Sequence, residues 1–488
     1  MNTLNSLFEK NRSSVPLLFL LVAATLLRTI GLGQENFWLD EATSIETAHL
    51  GIKNIIATSQ ANDVHPPLYY ILLHFWLNAF GTSEVVARLF SAIFSIITIP
   101  VFYRFTLRLF DHKTALIATS LLTFSPFAIF YAQEARSYSL FALCILASFV
   151  YFYKCINSTN KHFFPIAGFI FWSTLMLFLH IYGLFFLFSQ FIVFAYWLYV
   201  NKRITQWHPL WAAFIISGLV FCLWVPSLYT QTQVVVTKGY WIPSATLGYL
   251  LYTFFEIAGD YRISRLVSLL FLGIFIYGGK TYLVHVIRQI TNEPFISILV
   301  GCWAFVPIVV AFSVSQIAPS ILLARPLIAS AMPLFILTAV LLQNISNKQL
   351  KTWSLIFICT LFMVLNGKRY LYLEKEDWRS IAAIIDHPAA PKADAIVLHE
   401  YFCNTPLNYY YSGNLPFIDL PPRGTGLQIS STNIQQIVDK NMDAFWLVVS
   451  HTRHPESWIV AQFTQQGYHL AAEHKLIGVE CFLLSRSQ

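Results

Sequence analysis

Up to about residue 370, long apolar runs alternate with short polar connections; beyond it the pattern changes. Crossing a bilayer as a helix takes about 20 apolar residues, within a range of about 17–25. Runs of that kind occupy 15–33, 85–108, 114–131, 137–154, 163–180, 184–200, 209–228, 263–282, 295–315, 321–343 and 351–368, and predict eleven spans. The run 66–80 is shorter, opens on Pro66-Pro67 and carries His74 and Asn78. Segments of that length are interfacial or re-entrant more often than spanning, so it is expected at the surface, inside one long loop, 34–84. Lys10 and Arg12 precede the first run, which lacks the small-residue spacing of a cleavage site at its end and reads as a retained anchor.

The tail follows other periods. Residues 378–385 read as an amphipathic helix, 395–398 and 445–449 as buried strands, and 431–440 and 457–466 as further helices. The chain is therefore expected to form an all-α polytopic membrane domain over 1–369 and a small α/β soluble domain over 370–488, long enough to bury its own core. Residues 421–426 form a Gly/Pro loop without the Gly-Lys-Ser/Thr ending of a P-loop. Residues 229–262, with Tyr240, Trp241, Glu256 and Asp260, make the other long connection.

Composition agrees. Apolar residues make up 56% and charged residues 11%, against about 25% charged in soluble domains. The net charge of +7 forms no basic stripe interleaved with aromatics, which argues against a nucleic-acid partner and leaves the lipid bilayer as the surrounding medium. With the N-terminus inside, the cytoplasmic loops collect Arg104, Arg108, Lys113, Lys154, Lys161, Lys202, Arg203, Lys280, Arg288, Lys348 and Lys351. The outer loops hold mainly Lys53, Arg136 and Lys238. This is the positive-inside asymmetry, and counting 66–80 as a span would invert it. The expected location is the plasma (inner) membrane, with 34–84, 133–136 and the tail extracytoplasmic. Cys144, Cys222, Cys302 and Cys359 fall in apolar runs and Cys155 ends one, as packed core residues. Cys403 and Cys481 would be available to pair in an oxidising compartment.

The chemistry gathers on the outer side. Asp40-Glu41 follow the apolar stretch Asn36-Phe37-Trp38-Leu39, and partial burial there lifts a carboxylate toward a range useful for proton abstraction. His65 precedes the rigid Pro66-Pro67 pair. Arg136 stands at the mouth of a span, and Arg325 lies within a turn of the outer end of 321–343. An ionisable residue inside an apolar span is costly and usually functional. Guanidinium grips phosphate bidentately, so the two arginines point to an anionic, lipid-linked ligand. Glu41 and His65 are candidate ligands of a divalent ion, although two ligands do not define a site.

Asp40-Glu41, His65-Pro66-Pro67-Leu68-Tyr69-Tyr70 and Gln133-Glu134-Ala135-Arg136-Ser137-Tyr138, in this order, resemble the signatures of glycosyltransferase family 39. That membrane group has the GT-C fold and includes protein O-mannosyltransferases and lipid A aminoarabinose transferases. The resemblance runs over roughly 10–370, and Lys375-Glu376-Asp377-Trp378-Arg379 is similar to the start of the periplasmic domain in bacterial members. It implies an inverting transferase that moves one sugar from a polyprenyl-phosphate carrier to a hydroxyl of a lipid, glycan or protein acceptor. Asp40 would be the base, Arg136 and Arg325 would hold the phosphate, and Glu41, His65, Glu134 and Tyr138 would shape the sugar pocket. The aminoarabinose transferases have Lys-Pro-Pro where His65-Pro66-Pro67 stands, so the sugar is open. The alternative is a lipid or solute transporter or flippase. Such proteins show internal repeats and midplane ionisable groups, whereas here the ionisable groups gather at one face.

Overall fold

The computed structural model describes residues 2–61, 65–157, 163–205, 208–238, 242–421, 429–451 and 455–486. Lys161, Tyr240, Trp241 and all but the first residue of the expected 421–426 loop lie outside the described residues, as do the side chains of Lys10, Arg12, Lys238 and Lys280.

Every expected run is helical over most of its length, and the chain is a multi-pass membrane protein. Six helices have the length and composition to cross a bilayer: Glu84–Leu109, Tyr138–Asn157, Gly183–Val200, Pro294–Ile317, Arg325–Gln343 and Lys348–Leu371. Two bent pairs bring the number to 8: His112–Phe124 with Pro126–Ala132, and Pro209–Phe221 with Val225–Gln233, turning by 56° and 55°. Phe163–Leu179 and Val15–Thr29 are shorter, and Tyr261–Asn292 breaks at Gly279, whose φ of 54° leaves the helical region. Six to eight helices among the described residues are thus long and apolar enough to cross, against eleven spans expected from apolar length. Leu68–Phe80 is a short apolar helix, as its length demands. Residues 321–324 are not helical; a 3-10 turn opens at Arg325, where Pro326 suits a first turn, and Ala331–Gln343 continues from it.

The bend after Phe124 explains a fully buried arginine. Pro126 cannot donate to the ladder, so the preceding helix ends with unclaimed carbonyls. Arg28 donates to the carbonyls of Thr123 at 3.0 Å and Leu122 at 3.1 Å, and to Ser95 Oγ at 2.8 Å. Asn366 Nδ2 takes the carbonyl of Phe124 at 2.9 Å. Ser125 caps the next helix by accepting from Ala128 N–H.

By packing, the chain divides into two compact units. The first comprises Met1–Ile30, Leu50–Gly81 and Val86–Lys368. The second groups Gly31–His49 and Thr82–Val85 with Arg369–Gln488, so part of the expected 34–84 loop packs with the tail rather than with residues 1–369.

The tail folds around a mixed sheet of strands β1 (Ala395–His399), β2 (Phe417–Asp419), β3 (Ala444–Ser450), β4 (Tyr468–Leu476) and β5 (Val479–Arg486), in the order β2-β1-β3-β5-β4. β1 pairs in parallel with β2 and β3, while β5 runs antiparallel to β3 and β4. Alternate residues of β1 and β3 feed two apolar layers. Val397, Phe445, Leu447 and Val449 meet Ile434, Ile437, Ile459 and Phe463; Ile396, Leu398, Trp446 and Val448 meet Trp378, Ile381 and Leu407. Both strands are therefore buried on both faces, which is why they read as continuous apolar runs. The β4–β5 hairpin turns at Gly478, whose φ is +67°; a Cβ there would also come within 2.9 Å of Glu376 Cγ. Cys403 and Cys481 do not pair: both thiols are free and packed in the Trp446 layer. Cys222 is exposed rather than a core residue.

Candidate active site

The second unit carries Asp40 and Glu41 in the first turn of the helix Leu39–His49. Asp40 is partly exposed and Glu41 is fully buried. The approach to this helix is pinned by the residues that follow 373. Glu35 Oε1 accepts from the Glu374 N–H at 2.7 Å, Asn36 Nδ2 donates to Asp377 Oδ1 at 2.7 Å, and the Phe37 N–H donates to Tyr410 Oη at 2.8 Å.

The Lys375–Arg379 segment supplies most of this network. Lys375 Nζ lies 2.8 Å from Glu41 Oε2, with side chains 10% and 0% exposed. Glu376 Oε1 lies 2.8 Å from His451 Nε2, Asp377 caps its helix by accepting from the Ser380 N–H, and Trp378 is fully buried. Arg379 Nη2 is 2.6 Å from Glu84 Oε1, which also accepts from Tyr410. The Arg379 pair is half-exposed and contributes about 0–1 kcal/mol; the Lys375–Glu41 pair is buried, so losing either partner would strand a charge.

His451 adopts a left-handed backbone, with φ 53°. The hydrogen bond to Glu376 holds its imidazole above the usual histidine range; burial works against this, and the charges of Asp40 and Glu400 add to it. A raised folded-state value means that the contribution is complete below the unfolded value, near 6.5, and is lost as pH rises through the folded one. His451→Gln is therefore expected to remove part of the loss of thermal stability as pH rises above about 6.5, read from unfolding midpoints on either side of it. An unchanged slope would assign the slope to other groups.

The first unit carries the remaining candidates. The loop Gln133–Ser137 joins Pro126–Ala132 to Tyr138–Asn157 and is tied at three points. Gln133 Nε2 donates to the carbonyls of Ile30 at 2.8 Å and Leu27 at 3.2 Å, Ser91 Oγ donates to the Arg136 carbonyl at 3.0 Å, and Ser139 Oγ donates to the Tyr131 carbonyl at 3.0 Å. Glu134 and Arg136 are 1% and 6% exposed, a burial that charged side chains rarely reach unless paired.

A cavity of about 250 Å³ is lined by His65, Tyr138, His180, Tyr182, Gln231 and Arg325, with apolar residues between them. The Arg325 guanidinium stands 6.0 Å from the Tyr138 ring centre. His180 lies 4.7 Å from His65, ring centre to ring centre, and within electrostatic reach of Arg136 and Arg325. Tyr131 senses Glu134, Tyr138, Arg325 and Glu256 together. Tyr182 Oη donates to the Ile321 carbonyl, and Gln231 Nε2 to that of Ser59 at 2.8 Å.

His65, Glu134, Arg136, Tyr138 and Arg325 thus gather within one unit, and Asp40 and Glu41 lie together within the other. His180 was hidden in the sequence at the end of an apolar run, and Gln231 in a loop read for its aromatics. Of the two candidate metal ligands, Glu41 is engaged by Lys375. Among the described residues, no group of three or more His, Cys, Asp or Glu side chains is placed to hold a metal ion.

Residues 64–229 match the family model described as dolichyl-phosphate-mannose-protein mannosyltransferase. No curated protein matches. Among solved structures, ArnT from Cupriavidus metallidurans in the apo state is similar at 12% identity and TM-score 0.65, over 96% of this chain and 97% of that one. The same protein bound to undecaprenyl phosphate is similar at 13% identity and TM-score 0.61, over the same shares. The Archaeoglobus fulgidus oligosaccharyltransferase tethered to an acceptor peptide is similar at 12% identity and TM-score 0.55, over 99% of this chain and 75% of that one. At such identities these likenesses describe the fold, which is that of the GT-C glycosyltransferases. The chain thus has the fold of these membrane proteins, and its residues 64–229 carry the family match. The matched segment contains His65–Tyr70 and Gln133–Tyr138, two of the three motifs on which the resemblance to glycosyltransferase family 39 rests.

Proposed function

We propose that the chain moves one sugar, with inversion, from a polyprenyl-phosphate carrier to an acceptor hydroxyl at the extracytoplasmic face of the plasma (inner) membrane. The observation that carries this reading is the arginine-lined cavity: Arg325 in its wall, Arg136 within electrostatic reach, and histidine and tyrosine side chains suited to sugar hydroxyls. The ArnT structure with undecaprenyl phosphate supports the carrier class, and the basic residues between spans support the orientation.

In this reading Asp40 takes the proton of the acceptor hydroxyl. The acceptor oxygen forms its bond to C1 of the sugar as the bond from C1 to the phosphate oxygen breaks. Polyprenyl phosphate leaves with the electron pair, and Arg136 and Arg325 stabilise the charge that builds on it. His65, Glu134 and Tyr138 border the sugar. Glu41, bound by Lys375, fixes the turn that presents Asp40. The acceptor is a lipid, a glycan or a protein.

Purified protein in proteoliposomes, supplied with polyprenyl-phosphate sugars and envelope acceptors, should yield a glycosidic product by mass spectrometry. Movement of lipid or solute without such a product would favour a transporter. Arg136→Ala should raise the apparent donor KM by about ten- to a hundred-fold, the scale of one hydrogen bond to a charged group. An unchanged KM would return Arg136 to a role in packing.

A further inference from the structure

His180 follows the helix Phe163–Leu179 and precedes Gly183–Val200. Its ring is 3% exposed, lines the cavity, and lies 5.0 Å from the ring of Tyr182 and 5.4 Å from that of Phe141. The backbone N–H of Tyr182 donates to Nδ1 at 3.2 Å. A ring nitrogen that accepts carries no proton, so the imidazole is neutral and its proton sits on Nε2. Among the described residues nothing accepts that proton, and Nε2 is not sealed in the core.

Nε2–H of His180 and the guanidinium of Arg325 thus both face the cavity as N–H donors. Arg325 carries only N–H groups, and Arg136, within electrostatic reach of His180, adds positive charge near them. This donor cluster, with the positive charge of the two arginines, matches an anionic oxygen such as that of a lipid-carrier phosphate. We infer that His180 donates its Nε2–H to a non-bridging oxygen of the donor phosphate, beside the two guanidinium groups. The assignment rests on the donor class proposed above. A neutral donor strengthens its hydrogen bond as the leaving phosphate gains charge, and adds no fixed positive charge to retain the product.

The test uses the full chain in nanodiscs, undecaprenyl phosphate as the binding probe, and turnover with the sugar-loaded carrier. His180→Phe keeps an aromatic ring of similar volume and deletes the donor. His180→Gln places an amide nitrogen near the position of Nε2. His180→Phe is expected to weaken undecaprenyl phosphate binding by about tenfold and to lower kcat by at least as much, while His180→Gln recovers most of both. Wild-type affinity and turnover in His180→Phe would overturn the inference, as would a His180→Gln protein, folded by its unfolding midpoint, that performs no better than His180→Phe. If the wild-type protein itself bound no undecaprenyl phosphate, the donor reading would fall, and this assignment with it.

Discussion

Asp40→Asn is expected to cut transfer by about 10²–10⁴-fold while leaving undecaprenyl phosphate binding and the unfolding midpoint close to wild type. The substitution keeps the shape of the side chain and removes its charge and its ability to accept a proton. The flanking structure is already fixed by groups other than Asp40: Glu35, Asn36 and Phe37 are hydrogen-bonded to residues 374–377 and 410, and Glu41 is paired with Lys375. Loss of turnover with the carrier still bound is thus the signature of a missing base. Single-turnover transfer with pre-bound carrier separates the steps, and full turnover in the variant would remove Asp40 from the chemistry.

Lys375→Met should have the largest effect on stability, about 3–5 kcal/mol, because it strands the fully buried carboxylate of Glu41. The ammonium now offsets the desolvation of that carboxylate, and a thioether supplies no charge. Converting both partners, Lys375→Met with Glu41→Gln, should recover most of the loss, since no buried charge then lacks its counterpart. Thermal unfolding of the single and double variants reads the coupling directly. A Lys375→Met protein as stable as wild type would mean that the pair adds little to the fold.

The spans were legible wherever apolar length alone decides the outcome, as in Glu84–Leu109 and Pro294–Ile317. Where a local feature intervenes, length misleads. Pro126 splits one run, Gly279 breaks another, and residues 321–324 are not helical ahead of the 3-10 turn at Arg325. In the tail, β1 and β3 were readable because burial on both faces makes them continuous apolar runs. β4 was not, because it lies at the sheet edge and exposes alternate polar side chains, while β2 spans only three residues.

The candidate site divides in the same way. Asp40, Arg136 and Arg325 stand out because charge beside apolar sequence is costly. His180 does not, since one imidazole at the end of an apolar run resembles a packed core residue until the Tyr182 N–H is seen to orient it. The Lys375–Glu41 pair joins residues 334 positions apart, and no local pattern announces a partner at that distance.

The helix that bears Asp40 packs in one compact unit with Arg369–Gln488, together with Thr82–Val85. The tail is consequently no detachable appendage. A chimaera grafting a relative's tail after Lys368 would inherit mismatched seats for Glu41, Asn36 and Glu84 unless residues 31–49 and 82–85 travelled with it. These three separated pieces of sequence should therefore drift together through evolution as a single heritable block.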